Sequence, residues 1–398
     1  MEVRQAADAD IDQIIELQSE RNGPECGNQI RALVDDPDNG VGCFTVAADG
    51  GRVVSSLCLI REHMTMEGVC FGVGQPEFVA THPDYGHQGL VRAQMGLVHG
   101  WSATRGDLAQ IIAGIPYFYR RFGYEFAIPF PRFRLVSPGV TLDMPDGWSV
   151  REATVDDVDT IMGLEASTQA QVPLVTSRSA RWWRWYIRND DPLRSNLVAI
   201  RDGQVHGSAY VGPGPPGTGT SIECVHYVAA DEADAVWALL AHATERGQGK
   251  PVGIDERAGF AQVAFGVSQR HRSAYDLYVR VADPVALLDH LRPVLSGRLA
   301  RSHRAGSSGS LLVSFYKHSL IITYKDGEVI SIERSGPDQD PSRQGGIGVP
   351  PDLVATLIFG RFGAVELEDR YPDVRLGRAA DLAEVLFPRL EADIVTSL

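Results

Sequence analysis

The stretch FVATHPDYGHQGLV, residues 78–91, leads from an apolar strand pattern to an apolar helix pattern through two glycines, Gly86 and Gly89. The first backbone N–H groups of a helix lack intrahelical acceptors, and with the helix dipole they form an anion site. Glycine lets a bulky phosphate approach the backbone closely. The loop is therefore predicted either to bind a pyrophosphate or to be an ordinary glycine-bearing loop, since it matches neither the G-x-G-x-x-G nor the P-loop fingerprint.

The composition is that of an ordinary globular protein. A chain of 398 residues with 44% hydrophobic and 22% charged residues is long enough for two to four domains. The formal net charge of −14 argues against nucleic acid and anionic membranes as partners. The same acidic balance favours a cationic substrate, or simply keeps the protein in solution.

Cysteine usage and the apolar runs predict a cytoplasmic protein. The five cysteines are scattered and form no C-x-x-C pair, which is typical of reduced thiols in the cytosol. The opening residues MEVRQAADAD have no apolar signal core, and no run approaches the roughly 18 apolar residues of a membrane span.

An internal repeat divides the chain. EVRQAADADIDQIIEL from Glu2 and SVREATVDDVDTIMGL from Ser149 align without a gap, and each predicts a strand followed by an amphipathic helix. A hairpin pattern follows in both copies, but only the first copy continues into the glycine loop. From Pro284 the pattern changes to helices and strands of a third kind. We expect domains at residues 1–147, 148–283 and 284–398.

A second motif makes the loop more specific. About thirty residues downstream stands YFYRRFGYEF, residues 117–126. P-x-Y-x-x-Q-G-L after a strand, then a further strand and F-Y-x-x-F-G-Y, resembles the GNAT acetyltransferases, whose R/Q-x-x-G-x-G/A loop binds the pyrophosphate of acetyl-CoA. The duplicated module with a small third domain resembles the Eis (enhanced intracellular survival) family. This resemblance implies an α/β (α+β) fold: two tandem GNAT folds with mixed central sheets, the second degenerate, and a small α+β domain similar to sterol carrier protein.

The resemblance implies acetyl-CoA as co-substrate. No His/Cys/Asp cluster has metal-ligand spacing, so no metal is predicted. Gly86 stands where the motif has Arg or Gln, and Val91 where it has Gly or Ala, which predicts a weaker hold on CoA while the backbone donors remain. The implied CoA-contacting residues are Phe78, Val79 and Ala80 on the strand, and His87, Gln88, Gly89, Leu90, Val91 and Arg92 in the loop and helix.

Catalytic roles also follow from the resemblance. Tyr119 matches the tyrosine that protonates the departing thiolate, and a phenol is protonated at neutral pH. The alternative is that Tyr117, Tyr119 and Tyr124 form a packed aromatic cluster. Two groups are candidates for the base: the C-terminal carboxylate of Leu398, which the family folds back into the first module, and Glu77.

The implied function is N-acetylation of a cationic amine, aminoglycoside-like or polyamine, by a homo-oligomer such as the hexamers of the family. Glu25 is a candidate pocket residue, and Met64 and Met66 either line the pocket or pack in the core. Two alternatives stay open: a non-catalytic protein that binds lipid or acyl-CoA, and an acyltransferase of natural-product biosynthesis with another donor or acceptor.

Overall fold

The structure is a computed structural model that describes residues 1–129, 133–189, 194–213, 223–247, 249–256, 261–271 and 276–396. The chain divides into two compact units. Unit 1 consists of Met1–Gly27, Leu33–Pro129 and Tyr275–Ala392, and unit 2 of Asn28–Ala32, Phe130–Ala274 and Asp393–Leu398. The three-domain division drawn from the sequence stays a prediction.

The elements of the first repeat copy are a meander of strands with three helices. The strands are β1 (Glu2–Gln5), β2 (Phe44–Asp49), β3 (Arg52–Met66), β4 (Val69–Thr81), β5 (Ala109–Ile112) and β6 (Glu125–Pro129), and the helices are α1 (Ile11–Asn22), α2 (Cys26–Asp35) and α3 (Leu90–Arg105).

The second copy repeats much of this order. Its strands are β7 (Phe133–Val136), β8 (Trp148–Glu152), β9 (Leu174–Thr176), β10 (Ser195–Arg201), β11 (Gln204–Pro213), β12 (Glu223–Ala230), β13 (Val252–Asp255) and β14 (Ser268–His271), and its helices are α4 (Val158–Gln169), α5 (Ala180–Arg188) and α6 (Ala233–Arg246).

The remainder of the chain is α+β. It contains β15 (Asp276–Arg280), β16 (Gly309–Ser314), β17 (Ser319–Lys325), β18 (Glu328–Ser335), β19 (Ile347–Gly348), β20 (Ala392–Asp393), α7 (Pro284–His290), α8 (Arg292–Ala300), α9 (Val354–Ile358), α10 (Ala364–Arg370) and α11 (Ala380–Leu386). Its sheet has the order β18-β17-β16-β19. None of the helices described in the chain has the length and apolar character needed to cross a bilayer.

The repeat seen in the sequence has a structural counterpart in each copy. Arg4 donates to the carboxylate of Asp10 at 2.6 Å, and Arg151 donates to Asp157 at 2.7 Å. Each carboxylate also accepts the backbone N–H three residues upstream, at the start of the first helical turn. The Arg151 hydrogen bond lowers the pKa of Asp157 to about 2, and Arg4 lowers the pKa of Asp10 in the same way. The repeated Arg and Asp residues therefore fix the strand-to-helix entry.

The two large sheets exchange a strand. The order in unit 1 is β1-β2-β3-β4-β5-β15-β6, and in unit 2 it is β14-β7-β13-β12-β11-β10-β8. Strand β15 follows the second copy in the sequence but lies antiparallel between β5 and β6. Strand β7 follows the first copy but lies between β13 and β14. The mixed central sheets expected from the sequence are confirmed, while the exchange was not foreseen.

Two buried polar side chains of unit 1 hold α3 against its sheet. Gln94 accepts from Ser55 Oγ at 2.7 Å and donates to the Thr45 carbonyl at 3.1 Å. Ser102, two turns further on, accepts from Gln110 Nε2 of β5 at 2.8 Å. Buried polar groups need partners of fixed geometry, so these contacts set the axial position of α3 and of the loop before it.

Candidate active site

The loop that precedes α3 presents a row of backbone N–H groups. Gly89 is the N-cap residue in a left-handed conformation (φ 76°) with no side-chain cap, and His87 also has a positive φ of 62°. The helix's own bonding begins with the Ala93 amide, which donates to the Gly89 carbonyl at 3.0 Å. In the described part of the chain, the amides of residues 87–92 have no acceptor. Such a row of donors at a helix start is suited to an anion.

Strand β4 opens away from β5 next to this loop. The two strands are paired only at Val73–Ala109 and Gly74–Gln110. On the other side, the register with β3 shifts by one residue between Ala80 and Glu77, so β4 carries a bulge. Phe78 lies in the bulge with φ 50°. Beyond Gly74, the β5-facing backbone groups of β4 have no strand partner among the described residues and are available to a ligand.

The bulge is held from behind by Gln18, a fully buried residue of α1. Its Nε2 donates to the Phe78 carbonyl and, at 2.7 Å, to Ser56 Oγ. Its Oε1 accepts from Asn22 at 2.6 Å. A residue at positive φ other than glycine is strained and persists only where its surroundings fix it. Gln18 therefore keeps the Phe78–Ala80 segment in the bulged conformation.

Tyr119 lies in a 3₁₀ helix, Phe118–Phe122, and is only 6% exposed. Its ring packs against Phe118 (centroids 5.1 Å apart), Tyr124 (6.1 Å) and Tyr278 (5.9 Å). Burial, and then the charge of Glu77, raise the pKa of Tyr119 above its usual value, so its phenol is protonated at neutral pH. None of the described residues forms a hydrogen bond with its hydroxyl.

Gly114 makes room for that ring. A Cβ at this position would lie 2.0 Å from the Tyr119 ring, far inside contact distance. Any larger residue would displace the ring or the segment after β5 that carries Gly114. The glycine is needed here for close approach, since its φ is not positive.

Glu77 is a half-buried carboxyl directly before the bulge. It accepts from Gln75 Nε2 at 3.1 Å. Burial raises its pKa to about 7, while the hydrogen bonds from Gln75 and the Phe78 amide act in the opposite direction. The charge of Glu77 also contributes to raising the pKa values of Tyr119 and Cys26. A carboxyl with a pKa near neutrality and a protonated phenol have the protonation states that base and acid roles require.

Two arginines near Tyr119 in sequence or at the start of α3 lie over aromatic rings. The Arg92 guanidinium lies 5.6 Å from the Phe122 ring centroid, and that of Arg121 lies 4.7 Å from the Phe118 centroid. Both side chains are exposed. Arg121 was not among the candidate residues predicted from the sequence, although the motif YFYRRFGY contains two adjacent arginines. Val91 is half-buried and packs against the cluster that contains Tyr119 and Tyr124. Its side chain, which is larger than the Gly or Ala of the motif, therefore faces the core.

The remaining candidates from the sequence have the following surroundings. Tyr117 is 73% exposed and does not share the aromatic packing of Tyr119 and Tyr124. Met64 and Met66 are buried in the core. Glu25 is the residue before α2 and gives no side-chain cap.

The C-terminal tail is described only as far as Thr396, so the carboxylate of Leu398 lies outside the described residues. The preceding residues are held within unit 2. The Val395 carbonyl accepts from Thr176 at 3.1 Å and from Arg178 at 2.9 Å, and the Thr396 carbonyl accepts from Tyr227 at 3.4 Å. Leu398 and Glu77 therefore remain alternative bases.

The second copy keeps the bulge but closes the opening. Tyr227 has φ 54° at a register shift between β11 and β12. Here the Tyr227 amide donates to Asp255 Oδ2 at 3.4 Å. A carboxylate therefore already accepts from the backbone N–H of the bulge in the second copy. Helix α6 follows β12 without a glycine loop, and acidic Asp231 and Glu232 stand at its start. Negative charge at a helix N-terminus opposes phosphate binding.

Asp231 and Glu232 also belong to a cluster with His206 that has metal-ligand chemistry. The Glu232 carboxylate is already paired with Arg201 at 2.5 Å. The Arg201 guanidinium therefore competes with any metal ion for the Glu232 carboxylate. The expectation that the protein uses no metal stays a prediction.

Comparison with known proteins gives the class of the first module. Residues 2–127 match the acetyltransferase (GNAT) domain family. The chain therefore contains a GNAT acetyltransferase domain and is an acyltransferase, and such domains take an acyl-CoA as co-substrate. No curated protein matches the chain.

Solved structures extend the likeness of fold to the whole chain. A GCN5-related N-acetyltransferase from Anabaena variabilis has a TM-score of 0.72 at 13% identity, covering 99% of this chain and 98% of that one. One from Kribbella flavida has a TM-score of 0.70 at 15% identity, covering 100% and 98%. Eis1 from Mycobacterium abscessus has a TM-score of 0.64 at 16% identity, covering 100% of both chains. At these identities the likeness concerns the fold alone.

Proposed function

We propose that the protein is an acetyl-CoA-dependent N-acetyltransferase whose acceptor is an amine of a cationic small molecule, aminoglycoside-like or polyamine. The observation that carries the proposal is the row of amides at residues 87–92 that have no acceptor among the described residues, next to the open edge of β4. The amides bind the pyrophosphate, and the open strand edge binds the pantetheine arm. The formal net charge of −14 supports a cationic acceptor.

The reaction is a direct transfer between two substrates. A base removes a proton from the acceptor ammonium, and the neutral amine attacks the thioester carbonyl. A backbone N–H of the Phe78–Ala80 segment polarises this carbonyl as the C–N bond forms. The C–S bond then breaks, and the Tyr119 hydroxyl donates its proton to the departing thiolate. The proton held by the base returns to solvent, and Tyr119 is reprotonated.

The pH dependence of the rate distinguishes the two candidate bases. If Glu77 is the base, kcat/KM should rise with pH through about 7, because the carboxyl accepts a proton only when ionised. Glu77→Gln should then abolish this rise and lower the rate about 10²–10⁴-fold. The measurement is a pH–rate profile of CoA release for both proteins.

The matched variant is a two-residue extension after Leu398. It should leave the rate unchanged if Glu77 is the base. A normal profile in Glu77→Gln together with a slow extended protein assigns the role to the terminal carboxylate.

The phosphate site can be tested by charge alone. Asp and Asn both tolerate the left-handed conformation of Gly89 and have nearly the same shape. Gly89→Asp should weaken acetyl-CoA binding at least about tenfold more than Gly89→Asn, since like charges about 4 Å apart near a protein surface repel by about 4 kcal/mol. Isothermal titration calorimetry at low salt measures both affinities. Equal affinities would place the pyrophosphate elsewhere.

The activity itself is tested by incubating the protein with acetyl-CoA and a panel of amines that includes kanamycin and spermidine. Free CoA is followed with a thiol reagent, and products by mass spectrometry. We expect amine-dependent CoA release and a product heavier by one acetyl group. If the protein binds CoA but turns over no amine with any acyl donor, the result would support the alternative of a non-catalytic binding protein.

One cavity of the third region has a lining that does not suit a lipid. A cavity of about 510 Å³ lies beside α8 and β18. Its lining is mostly polar or charged: Asp289, His290, Arg292, Pro293, Ser296, Glu328 and Val329. Such a lining does not suit an acyl chain.

A further inference from the structure

A backbone contact fixes the segment just before Tyr119. The Tyr117 amide donates to the hydroxyl of Tyr278 at 2.6 Å. Tyr117 has φ 69° and is the residue from which the 3₁₀ helix Phe118–Phe122 begins. Its side chain is 73% exposed, so packing of its own ring does not hold this conformation. A strained backbone needs an external constraint, and the Tyr278 hydroxyl supplies one.

Tyr278 is itself held rigidly. It is fully buried, and its ring stacks on Phe126 with centroids 4.0 Å apart and planes at 20°. In the sheet it pairs with Ile112 of β5 and with Phe126 of β6. The same ring contacts Tyr119 at 5.9 Å. One residue of the exchanged strand thus touches both the ring of Tyr119 and the backbone two residues before it.

We propose that Tyr278 is a positioning residue for the first module's acyl transfer, and that β15 thereby completes the active site from beyond the second repeat copy. This inference rests on the proposed function, in which Tyr119 is the acid. The Tyr278 hydroxyl fixes Tyr117, Tyr117 fixes the start of the 3₁₀ helix, and the helix aims the Tyr119 hydroxyl at the departing sulfur. Tyr278 does not itself touch the substrates.

The test compares Tyr278→Phe with Tyr124→Phe in the full chain. Tyr124 is a matched control because it is also a buried tyrosine in contact with Tyr119, but its hydroxyl faces His99 Nε2 at 3.0 Å, away from Tyr117. Tyr278→Phe should lower kcat about 10- to 100-fold with KM for acetyl-CoA unchanged, since a small misplacement of a reacting group costs up to about 100-fold. Tyr124→Phe should leave kcat near the wild-type value, because the hydroxyl that it removes contacts His99 and not Tyr117.

A second measurement does not depend on activity. Hydrogen–deuterium exchange of the peptide that contains Tyr117 should be about five- to tenfold faster in Tyr278→Phe than in wild type, the ratio expected for one lost hydrogen bond. Tyr124→Phe should leave it unchanged. Equal exchange in all three proteins overturns the positioning role, and so does a wild-type kcat in Tyr278→Phe. If no amine releases CoA even with wild type, the proposed function fails, while the exchange data still decide whether Tyr278 fixes Tyr117.

Discussion

Tyr119→Phe is expected to slow acetyl transfer about 10²–10⁴-fold, the usual contribution of a general acid. The substitution removes one hydroxyl from a ring whose packing against Phe118, Tyr124 and Tyr278 is otherwise retained. Without a proton donor, the thiolate must leave as an anion. The amides of residues 87–92 are unaffected, so acetyl-CoA affinity should not change. Steady-state CoA release gives kcat, and calorimetry gives the dissociation constant.

Tyr117→Phe is the matched control for this experiment. It removes a phenol two residues away whose side chain is 73% exposed and lies outside the cluster. The backbone N–H that Tyr278 accepts is retained. We therefore expect wild-type kcat. A wild-type rate in Tyr119→Phe would reduce Tyr119 to a packing residue and leave the thiolate to be protonated by solvent or by another group.

Glu67→Ala is expected to lower the free energy of unfolding by about 3–5 kcal/mol, the cost of leaving a buried charge without its partner. Glu67 lies at the β3–β4 turn and accepts from Arg298 Nε at 2.7 Å. Arg298 is 7% exposed, and its only other oxygen partner in the described structure is the Leu386 carbonyl at 2.6 Å. Burial lowers the pKa of Arg298 and the Glu67 charge opposes this shift. Urea unfolding followed by fluorescence measures the loss.

The chain offers a control on the same carboxylate. Arg301 also pairs with Glu67, but its side chain is 67% exposed. Arg301→Ala should cost about 0–1 kcal/mol, as exposed ion pairs do. The double variant Glu67→Ala/Arg298→Met should recover most of the loss, since replacing both partners of a buried pair by apolar groups is often nearly neutral. A single variant Glu67→Ala as stable as Arg301→Ala would mean that Arg298 is solvated.

The sequence predicted the parts of the site that depend on local residue order. The glycine loop, the helix start and the aromatic motif around Tyr119 are each contiguous, and their chemistry follows from residue type and spacing. The Arg and Asp pairs of the repeat behave alike in both copies for the same reason. Glu77 was named as a base candidate, but its pKa depends on burial and on Gln75, which no pattern along the chain specifies.

The features that the sequence did not predict depend on distant segments. Strand β15 pairs with β5 and β6 across a gap in sequence from residue 129 to residue 276, and only the folded sheet shows which strand fills that position. The need for glycine at position 114 appears only when the Tyr119 ring lies against it. The sequence also does not show that the side chain of Asp255 on β13 accepts from the bulge of β12 in the second copy.

The exchanged strand affects how the protein is made. A ribosome finishes β6 at residue 129 but does not reach β15 until residue 276, an interval of roughly 7–30 s at typical translation speeds. During that time the nascent first sheet has unpaired edges at β5 and β6, which are prone to stick to other chains. A gene fragment that stops after the first repeat copy would leave those edges permanently uncovered. Chaperone protection during synthesis therefore matters more for this arrangement than for two modules that each close on their own.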